Sequence, residues 1–202
     1  MDFLVATRNR HKLEEIRAIL AIPGVFARSA VEFPNLPDVV ENGATFEENA
    51  VLKAETLARA SGLWTLADDS GLEVDALHGD PGVRSARYAG KQGADTANNR
   101  KLLQALEGVR ERRARFRCVI AVSAPSGRAR VVEGQCEGRI IDQPRGSGGF
   151  GYDPLFVPEG YTLTFAELAA PVKNRISHRA AALRRAMEAW GALLASAPRD
   201  WP

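Results

Sequence analysis

The sequence has few cysteines and no long apolar run, and both shortages limit what kind of protein it can be. Its 202 residues contain two cysteines, Cys118 and Cys136, and no Cys-x-x-Cys, His-x-His or His-Glu-x-x-His spacing. A zinc site is therefore not expected, and both cysteines are predicted to be small buried residues. No apolar stretch approaches the roughly 18 residues that a membrane span needs, and the start MDFLVATRNR has no signal pattern. We expect a cytoplasmic protein without membrane contact.

An excess of charge of either sign is also lacking. Lys and Arg total 27 against 25 for Asp and Glu, and the net charge of +2 does not favour nucleic acid as a partner. Only the run RERRARFR, residues 110–117, is locally basic, and a solvated loop entering a strand accounts for it. With 45% hydrophobic residues the chain can bury a real core, and we expect residues 1–202 to form a single domain.

Helix and strand patterns alternate along the chain. Residues 3–6 predict a strand followed by a helix, and Thr45 with Glu48 predicts a capped helix that ends before Gly62. Residues 114–124 and 128–136 predict a hairpin, because both alternate and a Pro-Ser-Gly turn joins them. The fold class is therefore expected to be α/β, with a mixed sheet flanked by helices and a cleft between two lobes.

The stretch LADDSGLEV places Asp68 and Asp69 side by side after an apolar strand. Adjacent carboxylates at the end of a buried strand repel each other and lose solvation, so a cation or hydrogen-bond donors must compensate them. Mg²⁺ is one such cation, since one or two carboxylates and substrate phosphates usually hold it, and Glu41 is a candidate second ligand. A plain turn is the alternative, because Asp, Ser and Gly are typical of turns. In both cases DDSG is expected to turn between two short strands.

Two segments are candidates for binding an anion. TRNRHK, residues 7–12, joins the first strand to the first helix, where backbone N–H groups, Thr7, Asn9 and Lys12 predict an anion cradle. An ordinary helix cap by Asn9, with Lys12 at the surface, is the alternative. Lys53 borders the apolar face of the second helix, so its ammonium must either reach solvent or meet a fixed anion.

A glycine-dense loop and the start of the last helix are candidates for recognising a planar ligand. In SGGFGYDP, residues 147–154, glycines permit close backbone approach, Phe150 and Tyr152 offer rings for stacking, and Asp153 can accept hydrogen bonds. His178 and Arg179 open the last helix and can donate to carbonyl or phosphate oxygens. A structural role is the alternative for His178.

Five motifs in order resemble one enzyme family over about residues 2–195. They are TRNRHK, ENGATFEENAVLKA, ADDSGLEVDAL with PGVRSARYAG, GGFGYDPLF, and KNRISHRAAAL, and they resemble the inosine/xanthosine triphosphate pyrophosphatases. The resemblance implies an elongated central sheet, a homodimer, and Mg²⁺-dependent hydrolysis of ITP, dITP or XTP to the monophosphate and pyrophosphate. Such an enzyme keeps these nucleotides out of DNA and RNA.

The same resemblance assigns the site residues. Glu41 and Asp69 match the metal positions, and Asp69 also matches the proton acceptor. The positions assigned to substrate binding, with Arg8 standing where many relatives have glycine, are Thr7, Arg8, Asn9, Arg10, His11, Lys12, Lys53, Ser70, Phe150, Gly151, Tyr152, Asp153, Lys173, His178 and Arg179. Two alternatives remain open: a Maf-like nucleotide pyrophosphatase with another base preference, and a nucleotide- or RNA-binding module without turnover.

Overall fold

The computed structural model describes residues 2–20, 22, 24–196 and 198–202. Within these ranges the strands form one sheet in the order β2-β1-β3-β4-β5-β6. β1 is parallel to both β2 and β3, whereas β5 and β6 are antiparallel, so the predicted mixed α/β sheet is confirmed. The strands are β1 (Asp2–Val5), β2 (Phe26–Ser29), β3 (Trp64–Val74), β4 (Arg113–Ser123), β5 (Ala129–Ile140) and β6 (Phe156–Pro158).

The helices begin and end where local side-chain chemistry favours it. Asn9 caps the first helix by accepting hydrogen bonds from the backbone N–H groups of His11 and Lys12. Thr45 caps the second, and Gly62 ends it in the left-handed conformation at a φ of 69°. The helices are α1 (Arg10–Ile19), α2 (Phe46–Ser61), α3 (Asp95–Ala105), α4 (Ala170–Ile176) and α5 (His178–Ala195). No helix in the ranges described above is long and apolar enough to cross a bilayer.

The chain divides into two compact units, each with its own apolar core. Strands β3, β4 and β5 contribute residues to both units. The first unit comprises Met1–Asp69, Cys118–Gly134 and Arg179–Pro202, and the second comprises Ser70–Arg117 and Gln135–His178. This division agrees with the expected two lobes, whereas the single domain and the cleft stay predictions. Both cysteines are free thiols, Cys118 buried and Cys136 half-buried.

The end of the chain completes the core of the first unit. Trp201 is buried and packs edge-on against Trp64, at 4.7 Å between ring centroids, and against Trp190, at 5.5 Å. Its indole N–H donates to the carbonyl oxygen of Arg128 at 2.7 Å. Aromatic burial of this extent contributes strongly to stability, so this terminal segment is part of the fold.

The expected turn at DDSG is wrong. β3 continues without interruption from Trp64 to Val74 and therefore includes Asp68 and Asp69. Successive side chains of a strand point to opposite faces, so the two carboxylates are directed away from each other and each meets its own partners. Because those partners are cations and an amide, the aspartates are accommodated inside a buried strand.

Candidate active site

Asp69 lies on the face of β3 that meets α2 and the loop before it. Its Oδ2 accepts a hydrogen bond from Nδ2 of Asn49 at 3.0 Å, and its Oδ1 lies 3.6 Å from Nζ of Lys53. Burial raises the pKa of Asp69 and outweighs the opposing influence of Lys53 and Lys12. A carboxylate with a raised pKa is suited to accept a proton near neutral pH.

Lys53 is the buried cation at the centre of this acidic group. Its Nζ donates to Oε2 of Glu41 at 3.0 Å and to the carbonyl oxygen of Asp68 at 2.8 Å. Burial by itself lowers the pKa of Lys53, but Asp69, Glu41 and Asp68 outweigh it, so the pKa is raised overall. The hypothesis that Lys53 meets a fixed anion rather than reaching solvent is thereby confirmed.

The oxygen atoms around Lys53 also suit a hard divalent cation. Glu41 and Asp69 direct carboxylate oxygens at the same ammonium group, and Glu41 is partly open to solvent. Mg²⁺ commonly takes only one or two protein carboxylates and completes its shell with substrate phosphates and water. Among the residues with described positions, no cluster of three or more His, Cys, Asp or Glu side chains could hold a metal. The donor set therefore fits Mg²⁺ bound together with a phosphate, and does not resemble a closed metal cage.

Asp68 lies on the opposite face of β3, in a buried chain of alternating charges. Its Oδ2 accepts from Nε and Nη2 of Arg179 at 3.1 and 2.9 Å, and its Oδ1 lies 3.1 Å from Nζ of Lys12. Arg179 in turn donates to Glu15. Although burial raises the pKa of Asp68, Lys12 and Arg179 hold it well below its usual range. With cations facing both of its oxygens, Asp68 is a fixed counter-ion for Lys12 and Arg179.

TRNRHK forms the turn before α1 and the first three residues of that helix. Thr7 Oγ1 accepts from the backbone N–H of Asn9 at 3.1 Å, and Asn9 caps the helix, as the capping alternative predicts. Lys12 is not at the surface, however, because its ammonium reaches Asp68. The segment thus brings one cation beside the aspartates of β3.

The other side chains of this segment are exposed. Arg8 pairs with Asp38 at 2.7 Å and Arg10 with Glu14 at 2.9 Å, and His11 also lies at the surface. Exposed ion pairs of this kind contribute little to stability, so both arginines can leave their carboxylate partners and bind another anion.

In the second unit, Asp153 organises the glycine-dense loop. It accepts from the backbone N–H of Phe150 at 2.8 Å and from Nζ of Lys173 at 2.5 Å, and that ammonium also lies 4.9 Å from the centre of the Phe150 ring. Gly149 has a φ of 69°, and a Cβ there would lie 2.0 Å from Oδ2 of Asp153. Glycine is required at this position both by its conformation and by the close carboxylate.

Tyr152 does not offer an open ring, which corrects the expectation for this residue. It is buried in the core of the second unit, and its hydroxyl donates to the carbonyl oxygen of Ser85 at 2.9 Å. Phe150, by contrast, is only half-buried. Any contact of Tyr152 with a substrate would have to come from its backbone.

The remaining predicted residues have the following surroundings. His178 is buried and stacks on Phe116, with ring centroids 4.7 Å apart and planes at 12°. The backbone of Gly151 is held by Asp95 and Asn99, at 2.7 and 3.0 Å. Ser70, directly after Asp69, is half-buried.

Four residues that hold the site are not among the predicted site residues. Asn49 precedes Lys53 by one helical turn, so an asparagine on the buried edge of α2 was a usable signal. Glu15, Asp95 and Asn99 lie far along the chain from the groups they bind, and no local pattern distinguishes them from surface residues.

Comparison with known proteins places these features in a family. The chain matches the family model described as the Ham1 family over residues 3–189. It is 53% identical over 190 residues to a dITP/XTP pyrophosphatase of Desulforamulus reducens, with 93% of this chain and 94% of the relative covered.

Solved structures support the same family assignment. A HAM1 protein from Coxiella burnetii has a TM-score of 0.85 at 40% identity, covering 97% of this chain and 99% of that one. A nucleoside-triphosphatase, dITP/XTP pyrophosphatase, from Mycobacterium abscessus has a TM-score of 0.74 at 44% identity, covering 96% and 99%. Because the family model and these relatives extend over nearly the whole chain, the protein belongs to the Ham1 family.

Proposed function

We propose that this protein hydrolyses the non-standard purine nucleoside triphosphates ITP, dITP and XTP to the nucleoside monophosphate and pyrophosphate. Its role would be to remove these nucleotides before they enter DNA or RNA. The observation that carries the proposal is the convergence of Glu41 and Asp69 on the buried ammonium of Lys53, in a chain 53% identical to a dITP/XTP pyrophosphatase. Hydrolysis of a triphosphate needs cations against phosphate charge and an acceptor for the proton of water, and this group contains both.

The cofactor in this proposal is Mg²⁺, and its protein ligands are Glu41 and Asp69. When bound, Mg²⁺ would supply positive charge that neutralises the phosphate oxygens. Nζ of Lys53 lies 3.0 Å from Oε2 of Glu41 and 3.6 Å from Oδ1 of Asp69, so both proposed ligands direct a carboxylate oxygen at the same point.

The proposed catalytic and phosphate-binding side chains belong to the first unit. Asp69 accepts the proton of the water that attacks the α-phosphorus. Lys12 and Lys53 hold the phosphates of the leaving pyrophosphate. Thr7, Arg8, Asn9, Arg10 and His11 complete the triphosphate segment at the N-terminus of α1, where backbone N–H groups and the helix dipole favour an anion.

Base recognition is assigned to the loop around Asp153 and to the start of α5. The ring of Phe150 stacks on the purine, while His178 and Lys173 donate towards its 6-oxo oxygen. Adenine would place an amino group against these donors, and an unpaired buried polar group costs about 1–3 kcal/mol, which is tenfold to hundredfold in preference. Arg179 contributes its backbone N–H, since Asp68 and Glu15 hold its guanidinium. The proposed substrate-binding residues also include Ser70, Gly151 and Tyr152.

We further propose that residues 1–202 act as one domain, that the protein is a cytoplasmic homodimer, and that nucleic acid is not a partner. The family resemblance supports the dimer, and the balanced charge and the lack of a long apolar run support the absence of a nucleic acid partner and the cytoplasmic location, respectively. Sedimentation equilibrium at assay concentration is expected to give twice the mass of 21.9 kDa, and a monomer there would contradict the dimer.

The experiment that tests the function is a panel of triphosphates, namely ITP, dITP, XTP, GTP and ATP, assayed for pyrophosphate with and without Mg²⁺. ITP, dITP and XTP should be cleaved only with the metal, and Asp69→Asn should lose about a hundredfold or more of the turnover. No pyrophosphate from any substrate would support the alternative of a binding module. Preference for a different class of base would support the Maf-like alternative.

A further inference from the structure

Asn49 connects the segments that carry the two proposed metal ligands. It is only 1% exposed. Its Oδ1 accepts from the backbone N–H of Gly43, two residues after Glu41, at 2.8 Å, and its Nδ2 donates to Oδ2 of Asp69 at 3.0 Å. A single side chain of α2 therefore holds both the loop of one carboxylate and the other carboxylate itself.

Gly43 is fitted to this contact. A Cβ at Gly43 would lie 2.8 Å from Oδ1 of Asn49 and 2.7 Å from Cβ of Glu48, whereas its φ lies outside the left-handed region. Close approach, and not backbone conformation, is what requires glycine here. Glu48 fastens the next residue as well, because its Oε2 accepts from the backbone N–H of Ala44 at 2.6 Å.

An amide suits this position better than other side chains. It carries a donor and an acceptor in one rigid plane, whereas an ionised carboxylate cannot donate and a hydroxyl is too short to reach both partners. The bond to Oδ2 fixes the rotation of the Asp69 carboxylate, while Oδ1 faces Lys53.

We propose that Asn49 is a positioning residue for the metal site: it sets the carboxylate of Asp69 and the loop of Glu41 in the arrangement that binds Mg²⁺, without touching metal or substrate. This inference rests on the proposed function. Residues that orient metal ligands typically account for about 10–100-fold in metal affinity.

The second unit provides a matched control. Asn98 is 2% exposed, its Oδ1 accepts from the backbone N–H of Ala89 at 2.7 Å, and its Nδ2 donates to the carbonyl oxygen of Ala86 at 3.3 Å. Asn98 and Asn49 are thus equally buried and each makes two side-chain hydrogen bonds, but Asn98 contacts neither proposed ligand. Substituting either asparagine should lower the stability of the protein. Only the substitution of Asn49 should also lower its affinity for the metal.

The test is Mn²⁺ binding to the protein without nucleotide, followed by electron paramagnetic resonance, together with the Mg²⁺ concentration that gives half-maximal turnover of ITP. Asn49→Ala should weaken metal binding and raise that concentration by about 10–100-fold. Gly43→Ala, which keeps Asn49 but displaces its amide, should act in the same direction. Asn98→Ala should bind metal like the wild type even where its melting temperature falls.

The outcomes distinguish the inference from the proposed function. If Glu41→Gln weakens metal binding while Asn49→Ala and Gly43→Ala stay within twofold of wild type, Asn49 has no positioning role and the metal site stands. If wild-type turnover is indifferent to Mg²⁺, the metal site and the inference are both overturned. If Asn49→Ala does not fold, Gly43→Ala decides the question.

Discussion

Replacing Asp68 by asparagine should destabilise the protein strongly, because Asp68 is a fully buried anion between two cations. Asparagine has the same shape but no charge, so Arg179 and Lys12 would keep buried positive charge with less compensation. Breaking a buried ion pair by changing one partner costs about 3–5 kcal/mol. That is a large part of the roughly 5–15 kcal/mol by which a folded protein is stable.

Urea unfolding at pH 7 measures this loss directly. For a domain of this size about 1 kcal/mol lowers the melting temperature by about 2–4 °C, so Asp68→Asn should melt about 6–20 °C below wild type. The control is Asp38→Asn, since Asp38 is 81% exposed in its pair with Arg8. Asp38→Asn should lower the free energy of unfolding by less than about 1 kcal/mol.

The difference between wild type and Asp68→Asn should also depend on pH. Burial raises the pKa of Asp68, but Lys12 and Arg179 depress it further than that, so the folded pKa lies below the unfolded value of about 4. A depressed carboxyl pKa contributes stability that is present above the unfolded pKa and is lost as the pH falls towards the folded one. The difference in free energy of unfolding between wild type and Asp68→Asn should therefore be constant above about pH 5 and become smaller below about pH 4. A loss no larger than that of Asp38→Asn, or a difference unchanged down to pH 3, would refute the reasoning.

Three further substitutions test other parts of the account. Lys53→Met should lower kcat/KM for ITP by about 10²–10³-fold, because a buried cation beside the reacting phosphates is lost; steady-state values like those of wild type would contradict this. Gly149→Ala places a Cβ 2.0 Å from the Asp153 carboxylate and should raise KM for ITP, whereas Gly160→Ala, with a φ of 79° but no atom within 4 Å, should leave KM unchanged. Trp201→Ala should lose about 3–5 kcal/mol in urea unfolding, and a loss below about 1 kcal/mol would show that the terminal segment is dispensable.

Features that depend on residues close together in the sequence could be predicted. Asn9, Thr45 and Gly62 fix the ends of two helices through bonds within a few residues, so the pattern alone predicts them. The place of Lys53 on the apolar edge of α2 limited its ammonium to solvent or a fixed anion, and only the contacts with Glu41 and the Asp68 carbonyl decide between the two.

Features that depend on distant partners were not predictable. DDSG has the composition of a turn, but it continues as a strand because Lys12 and Arg179 neutralise Asp68 from opposite ends of the chain. Tyr152 lies in a glycine-dense loop that suggests exposure, yet its hydroxyl finds the Ser85 carbonyl within the core. In both cases, tertiary contacts override the local preference.

The most direct test of the account is the identity of the products of dITP hydrolysis in Mg²⁺, separated by anion-exchange chromatography. Attack at the α-phosphorus through the site around Asp69 predicts dIMP and pyrophosphate in equal amounts, with both formed about a hundredfold or more slowly by Asp69→Asn. Formation of dIDP and inorganic phosphate would place the cleavage between the β and γ phosphates and contradict the account.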